Sequence, residues 1–495
     1  MSSTISPDTP FLAEESSNIS QIDGVDDQDM PIIRELLRTW RKHYSGNILR
    51  SSYYDAHEKL RDLNISIPES VKSNAKAMIA WPAKAVRSLA DLTVLEGVGL
   101  PGDTDDYGID QLVEDNQLDT EFSQAVVSAY THSCAFLTIS ADPDDPAIIR
   151  IIPRSADWSA ALWDNLRREV SAALTITDCD RNGRITSFNV WLPYHDYTCT
   201  KTLGRWSAQQ LQTNYPHVTV IPISYDAQLN RPFGRSRISP TLMSLVDIGF
   251  RTMVRMEATA EFYSSPKLWF LGLDQDAFTS DTWSSLVSAV NAVSRDENGD
   301  VPAIQQLTQA TMSPHSDMLK TVALLVSAET NIPVSDLGII TENPTSAEAM
   351  AAAERKLSRE ADRQNKRFSR AIKQALIQAV TLREGLTATP PELTQITPIW
   401  APTREISDAA RADYYTKIAA ANSDFANSDI GLYKAGLTVD EVRSLRAWQQ
   451  RSQAMANIQQ IRDSLTGGDN GQSEPTAATP PERGKPTQQE AGGHA

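Results

Sequence analysis

Few residues of the types that do chemistry stand close enough in this chain to act together. His132 and Cys134 come nearest, two apart in Thr131-His132-Ser133-Cys134 at a predicted helix-to-strand junction. An imidazole beside a thiol is the outline of a nucleophile and its base. Attack on a carbonyl also needs a third group to orient the base and donors to hold the oxyanion. No motif supplies either, so packing is the simpler reading. Asp296, Asn298 and Asp300 around Gly299 open like a calcium loop, but the glutamate required at the twelfth position is Leu307. A polar turn fits better. No phosphate-cradling Gly-rich loop with Lys-Ser/Thr, no His-Glu-x-x-His and no Gly-x-Ser-x-Gly is found. Cys134, Cys179 and Cys199 lack metal-ligand spacing and fit reduced structural thiols. No enzyme centre, metal or cofactor is expected.

One charged pattern stands out. Arg355, Arg359, Arg363 and Arg367 recur every four residues on a predicted long helix, with Lys366, Arg370 and Lys373 beside them. Residues 345–373 carry eight bases and four acids, a local excess of positive charge in a chain of net charge −17. Such a row is either a solvated face laced with pairs such as Glu354 or Glu360 against nearby arginines, or a surface for a neighbouring subunit or a polyanion. The overall acidity argues against tight, sequence-reading DNA binding, which depends on cations neutralising phosphates. It is compatible with a surface along which DNA moves without sticking. Residues 1–30 hold seven acids and no Lys or Arg, the composition of a disordered acidic tail.

The elements that must position these residues divide the chain. With 495 residues, about three folding units are expected. The apolar run Thr321 to Ala328 falls far short of the ~20 residues of a membrane helix, and no basic start followed by an apolar stretch marks a secretory leader. Ile33, Leu36, Leu37, Trp40 and Tyr44 recur at helical spacing. Further helices are predicted over 52–63, 69–92 and 119–133. From Ala135 to Ile223 the pattern is mainly β, with a turn at Asp142–Pro146 and a hairpin at Asn182-Gly183. A helix over about 240–263 stops before Ser265-Pro266. A compact mixed segment of about 267–314 and a helix over about 315–330 follow. A loop at 331–344 leads through Pro344 and the capping box Thr345-Ser346-Ala347-Glu348 into a helix of close to 40 residues. Helices over 403–423, 429–436 and 438–464 complete the pattern. Residues 467–495 contain six Gly, four Pro and no Leu, Ile, Val or aromatic residue, and are expected to be a disordered tail.

Three stretches, in order and at matching spacing over about 150 residues, resemble the portal protein of tailed bacteriophages of the siphophage type. The first is His217-Val218-Thr219-Val220-Ile221-Pro222-Ile223, then Pro232-Phe233-Gly234-Arg235-Ser236-Arg237-Ile238 and the helix running to Tyr263 and Ser265-Pro266-Lys267. The second is Ala328-Glu329-Thr330-Asn331-Ile332-Pro333-Val334-Ser335-Asp336-Leu337-Gly338. The third is Asn343-Pro344-Thr345-Ser346-Ala347-Glu348-Ala349-Met350, with Glu354 and Leu357 beyond it. The chain departs from the pattern at His132-Ser133-Cys134, where many relatives carry a glycine before the strand.

The resemblance implies an α+β portal fold in a ring of about twelve copies. A wing would occupy 31–239, stem helices 240–263 and 315–330, and a small α/β clip 264–314. A channel loop would span 331–345, a long connecting helix with a return to the wing 346–400, and a helical crown 401–466. Asn343, Pro344, Thr345 and Ser346 would face DNA. Trp283, Asp296, Asn298 and Asp300 would present the clip to a terminase or adaptor. The Arg355–Arg367 row would face a neighbouring subunit or DNA. Double-stranded DNA, the terminase large subunit, a head–tail adaptor, and the major capsid and scaffolding proteins are the implied partners, with no membrane. The protein would be made in the host cytoplasm and sit at a capsid vertex of the virion. Another virion adaptor or scaffold protein, or a capsid-associated hydrolase, are the rival readings.

Overall fold

The computed structural model describes residues 12–56, 79–99, 107–264 apart from 143, 144, 146 and 214, 268–271, 303–306, 311–339 and 347–466 apart from 387 and 405–407. It is a mixed α+β fold in two units, residues 1–405 and 406–495. In the first unit α1 spans Met30–Tyr54, α2 Trp81–Ala90, α3 Ile109–Asp115 and α4 Leu118–His132. Strand β1 (Leu95–Gly99) lies between α2 and α3 and pairs antiparallel with β12 (Thr397–Trp400). Strands β2 (Cys134–Ala141), β3 (Ile149–Ser155) and β9 (Val220–Ser224) form a three-stranded sheet in the order β3-β2-β9. A five-stranded antiparallel meander follows the chain from β4 (Ser159–Asp164) through β5 (Glu169–Cys179), β6 (Ile185–Leu192) and β7 (His195–Thr202) to β8 (Arg205–Gln212).

Turn chemistry fixes the connections. Asp145 accepts from the backbone N of Ala147 through its carboxylate and from Ile148 through its carbonyl, closing the predicted β2–β3 turn. Between β5 and β6, Asp180 Oδ1 accepts from Asn182 and Arg184 while Gly183 takes φ +74°, so the hairpin forms where Asn182-Gly183 placed it.

Two long helices leave this body. Helix α5 (Pro240–Ser264) leads to β10 (Leu268–Leu271), which pairs antiparallel with β11 (Ala303–Gln306). Helix α6 (Ser313–Thr330) returns against α5. The short helix predicted near Trp283, the polar turn of Asp296, Asn298 and Asp300, and most of the intervening segment lie outside the described residues. The longest helix, α7 (Ala347–Glu384), has 38 residues. Leu357, Ala361, Phe368, Ile372 and Leu376 bury one stripe of it in the main core, with α2, α4, β2, β3 and β9.

The acidic start of the chain is not a tail from residue 12 onward. Leu12, Ile19 and Ile22 are buried with Trp40, Phe188 and Tyr197 between α1 and the five-stranded sheet. Three apolar side chains spaced through an acidic run escape a composition average, yet each gains about 1.5–3 kcal/mol on burial. The backbone follows the free edge of β8: Asp23 N donates to Trp206 O at 3.0 Å and Ala208 N to Asp23 O at 2.7 Å. Asp29 Oδ2 accepts from His195 Nε2 at 2.8 Å and from Tyr197 Oη at 2.9 Å. The carboxylates that suggested disorder are partly hydrogen-bond acceptors. Residues 1–11 and 467–495 lie outside the described residues.

The second unit contains α8 (Asp408–Ala421), α9 (Ser423–Asn427), α10 (Asp429–Ala435) and α11 (Val439–Thr466). Asn422 and Ser428 cap α9 and α10 through their side-chain oxygens. Thr438 and Glu441 close a capping box on α11, with Thr438 N donating to Glu441 Oε2 at 2.8 Å and Glu441 N to Thr438 Oγ1 at 3.3 Å. These hydrogen bonds hold the Glu441 pKa below its usual value.

Candidate functional site

The pair singled out for chemistry is built for packing. His132 Nε2 lies 2.9 Å from Ser51 Oγ and 3.2 Å from Asp157 Oδ2, while Nδ1 lies 3.2 Å from Ser128 Oγ. A proton relay holds its nucleophile on one ring nitrogen and its carboxylate on the other. Here the ring nitrogens are taken by Ser51 and Asp157 on one side and Ser128 and Ser155 on the other, and Cys134, the nucleophile that the spacing suggested, is on neither. Burial lowers the His132 pKa and raises that of Asp157, so each resists its charged form. The Cys134 thiol, fully buried, is pushed up to about 12, far from a reactive thiolate. Ser133 between them takes φ +95°, a left-handed backbone that favours glycine.

The structure's principal polar cluster lies where the two long helices meet the body. Arg237, in the loop before α5, is 6% exposed, and Glu360 on α7 is 8% exposed; their side chains form a salt bridge through Nη1 and Oε1. The guanidinium has further acceptors. Nε donates to Ala85 O of α2 at 2.6 Å, and Nη2 donates to Thr330 O, at the end of α6, at 2.6 Å. Tyr225 Oη, just past β9, donates to Glu360 Oε1 at 2.5 Å. Asn331 Nδ2 reaches Glu360 Oε2 at 3.2 Å. One ion pair therefore ties α2, β9, the start of α5, the end of α6 and α7. A guanidinium suits this role because its planar fork of donors reaches several acceptors at once.

Local sequence sets up the junction. Gly234 has φ +75°, and a Cβ there would stand 1.9 Å from Tyr225 O, so only glycine lets the loop cross Tyr225. Next to it, Arg235 N donates to Tyr225 O at 2.9 Å and Arg237 N to Tyr130 O at 2.8 Å. Asn331 ends α6 in a left-handed conformation, φ +56°, which Asn tolerates better than most residues. Burial pushes the Tyr225 pKa up, keeping its hydroxyl a donor to the carboxylate.

The arginine row lies on the opposite side of α7 from its buried stripe. Arg355, Arg359, Arg363 and Arg367 are all exposed, and none is salt-bridged to another described residue. Arg363 and Arg367, with Arg235, Asp226 and Glu329, border a pocket of about 330 Å³ whose floor is the Arg237–Glu360 junction. Glu360 is not the surface partner of a same-helix arginine that charge spacing suggested. Its partner lies 123 residues away in sequence. Asn343, Pro344, Thr345 and Ser346, and Trp283, Asp296, Asn298 and Asp300, lie outside the described residues. Among the described residues no cluster of His, Cys, Asp and Glu could hold a metal, and no helix is long and apolar enough to cross a membrane.

A family model described as phage portal protein, SPP1 Gp6-like, matches residues 33–424. The chain belongs to that family. Curated relatives include the portal protein of Mycobacterium phage L5, 27% identical over 448 residues, covering 86% of this chain and 90% of that one. The portal protein of Mycobacterium phage D29 is 27% identical over 425 residues, covering 82% and 85%. Among solved structures, a chain of the virion of a native gene transfer agent particle matches at TM-score 0.43 and 13% identity, covering 77% of this chain and 95% of that one. A chain of the neck of a native gene transfer agent particle matches at TM-score 0.41 and 12% identity, covering 81% and 98%. The likeness to both structures is distant. This portal protein is a structural component and not an enzyme, which agrees with the geometry around His132 and Cys134.

Sequence reasoning missed the junction, although two signals were present. Arg237 and Asn331 fall inside the motif stretches. Glu360 is a charge at a buried position of α7, one residue before Ala361 and eight before Phe368, where an amphipathic helix should carry an apolar side chain.

Proposed function

We propose that this portal protein works in a ring of about twelve copies at one capsid vertex, through whose centre double-stranded DNA passes without being read for sequence. The observation that carries the reading is the antiparallel pair α5 and α6, rooted at one end in the Arg237–Glu360 junction and joined at the other through β10 and β11. Helices of 25 and 18 residues reach about 38 and 27 Å. A helix, a strand pair and a returning helix rooted in one buried junction have the form needed for a stem and clip. On this reading residues 240–263 and 315–330 are the stem and 264–314 the clip, with Trp283, Asp296, Asn298 and Asp300 turned to a terminase or adaptor. Residues 31–239 are the wing, 331–345 the channel loop with Asn343 to Ser346 facing DNA, 346–400 the connecting helix and wing return, and 401–466 the crown.

The charge fits a conduit. A dozen copies at −17 make an anionic body, and anionic walls avoid the counterion release that would hold DNA in place. With no nucleotide-binding motif in the chain, energy for packaging comes from a separate motor, the terminase, while capsid, scaffolding and adaptor proteins hold the ring in the virion. Electron microscopy of the purified protein tests this. An annulus with a hole wide enough for a DNA duplex is expected; a chain that stays monomeric at high concentration would end the proposal.

A further inference from the structure

From residue 88 to residue 149 the chain carries thirteen acidic residues and no Lys or Arg. Within that run Glu114 and Asp115 on α3 and Asp119 on α4 are exposed, and none is salt-bridged to another described residue. A run of one sign is ordinarily a solvated face. Here the same chain bears its counterpart, the arginine row of α7, which has no salt bridge to another described residue. Among the described residues the two faces form no salt bridge with each other within one copy. Phe122 of α4 meets Phe368 of α7 edge-on, ring centres 5.9 Å apart. Phe368 belongs to the buried stripe of α7, with Leu357 and Ala361, while Arg355, Arg359, Arg363 and Arg367 project from the other side. The helix itself stands between its arginines and α4.

We propose that the acidic edge made by α3 and α4 docks on the α7 arginine row of an adjacent copy, head to tail. The inference rests on the ring reading and names the surfaces that would close it. Contact between two different patches is heterologous, and repeated rotation of such a contact generates a ring. Copies that each carry −17 repel one another unless opposite patches face, and complementary patches both steer the encounter and fix its register. DNA is the weaker occupant of the row. An exposed line of guanidiniums on phosphates gains affinity through counterion release and retards sliding, and it leaves the acidic edge without a role.

Charge reversal on the full-length chain tests the pairing. One variant carries Arg359→Glu, Arg363→Glu and Arg367→Glu; a second carries Glu114→Lys, Asp115→Lys and Asp119→Lys; a third carries all six. Light scattering after size exclusion and negative-stain imaging report the rings, and far-UV circular dichroism reports the fold. Each triple variant should lose rings, or need a roughly tenfold or greater rise in concentration to form them. The six-residue variant should recover them, because every contact again joins opposite signs. An equimolar mixture of the two triple variants should also recover rings, with alternating copies, a result that misfolded chains could not give. Rings that survive either triple reversal would overturn the pairing while leaving the ring reading standing. Failure of both the six-residue variant and the mixture would overturn it too, as would an arginine reversal that keeps rings but changes their retention of DNA. Absence of rings in the unaltered protein strikes the ring reading itself.

Discussion

Removing the Arg237 guanidinium should loosen the roots of both long helices. In Arg237→Ala, Glu360 remains buried with Tyr225 and Asn331 as donors but without its cation, and the carbonyls of Ala85 and Thr330 each lose the hydrogen bond that Arg237 donates. Removing one partner of a buried ion pair costs about 3–5 kcal/mol. Unfolding entropy is about 2.1 cal/mol/K per residue. A cooperative unit of about 400 residues, such as residues 1–405, therefore shifts its melting temperature by about 1.2 °C per kcal/mol. The expected fall is about 4–6 °C, read by calorimetry. Hydrogen exchange should show where the loss falls, with faster exchange in the last turns of α6 and the first turns of α5 than in the five-stranded sheet. The double variant Arg237→Met with Glu360→Leu removes both charges and should cost less than either single change, because no charge is left stranded. If Arg237→Ala melts within 1 °C of the parent, a figure set by the same ~1.2 °C per kcal/mol scale, or if the double variant costs the sum of the singles, the junction is not the coupled unit argued here.

Two further outcomes follow from other residues. Burial pushes the Asp196 pKa up to about 7, offset in part by a backbone hydrogen bond from Leu192. A carboxyl whose folded pKa exceeds its unfolded value near 3.9 favours folding most in acid and loses that advantage as pH rises from about 4 to about 7. Asp196→Asn should therefore flatten the decline in denaturation midpoint over that window and exceed the parent at pH 7.5; a parent curve that rises through the window would contradict the assignment. At Ser133, φ +95° carries backbone strain of about 1–3 kcal/mol in a non-glycine residue, and glycine costs about 0.5–1 kcal/mol of chain entropy. Ser133→Gly should raise the melting temperature slightly, and a drop on calorimetry would show that the serine side chain outweighs the strain.

Much of the element pattern was legible because it depends on near neighbours in the chain. Helical periodicity placed α5, α6 and α7 to within a few residues and found the start of α1, which runs on to Tyr54 where a separate helix over 52–63 was expected, and local turn chemistry placed the β5–β6 hairpin. Spacing alone also showed that the apolar side of α7 leaves its arginines together. Three features were decided by contacts between distant segments. The acidic start joins the core because Leu12, Ile19 and Ile22 meet Trp40, Phe188 and Tyr197, more than 100 residues onward in the last two cases. Strand β1 is completed by β12, from the far end of the unit. Glu360 sits inside the protein because Arg237, Tyr225 and Asn331 converge on it. A charge pattern reveals which residues cannot be buried alone; whether one of them is buried depends on a partner arriving from elsewhere, and only the folded chain brings that partner within hydrogen-bonding distance.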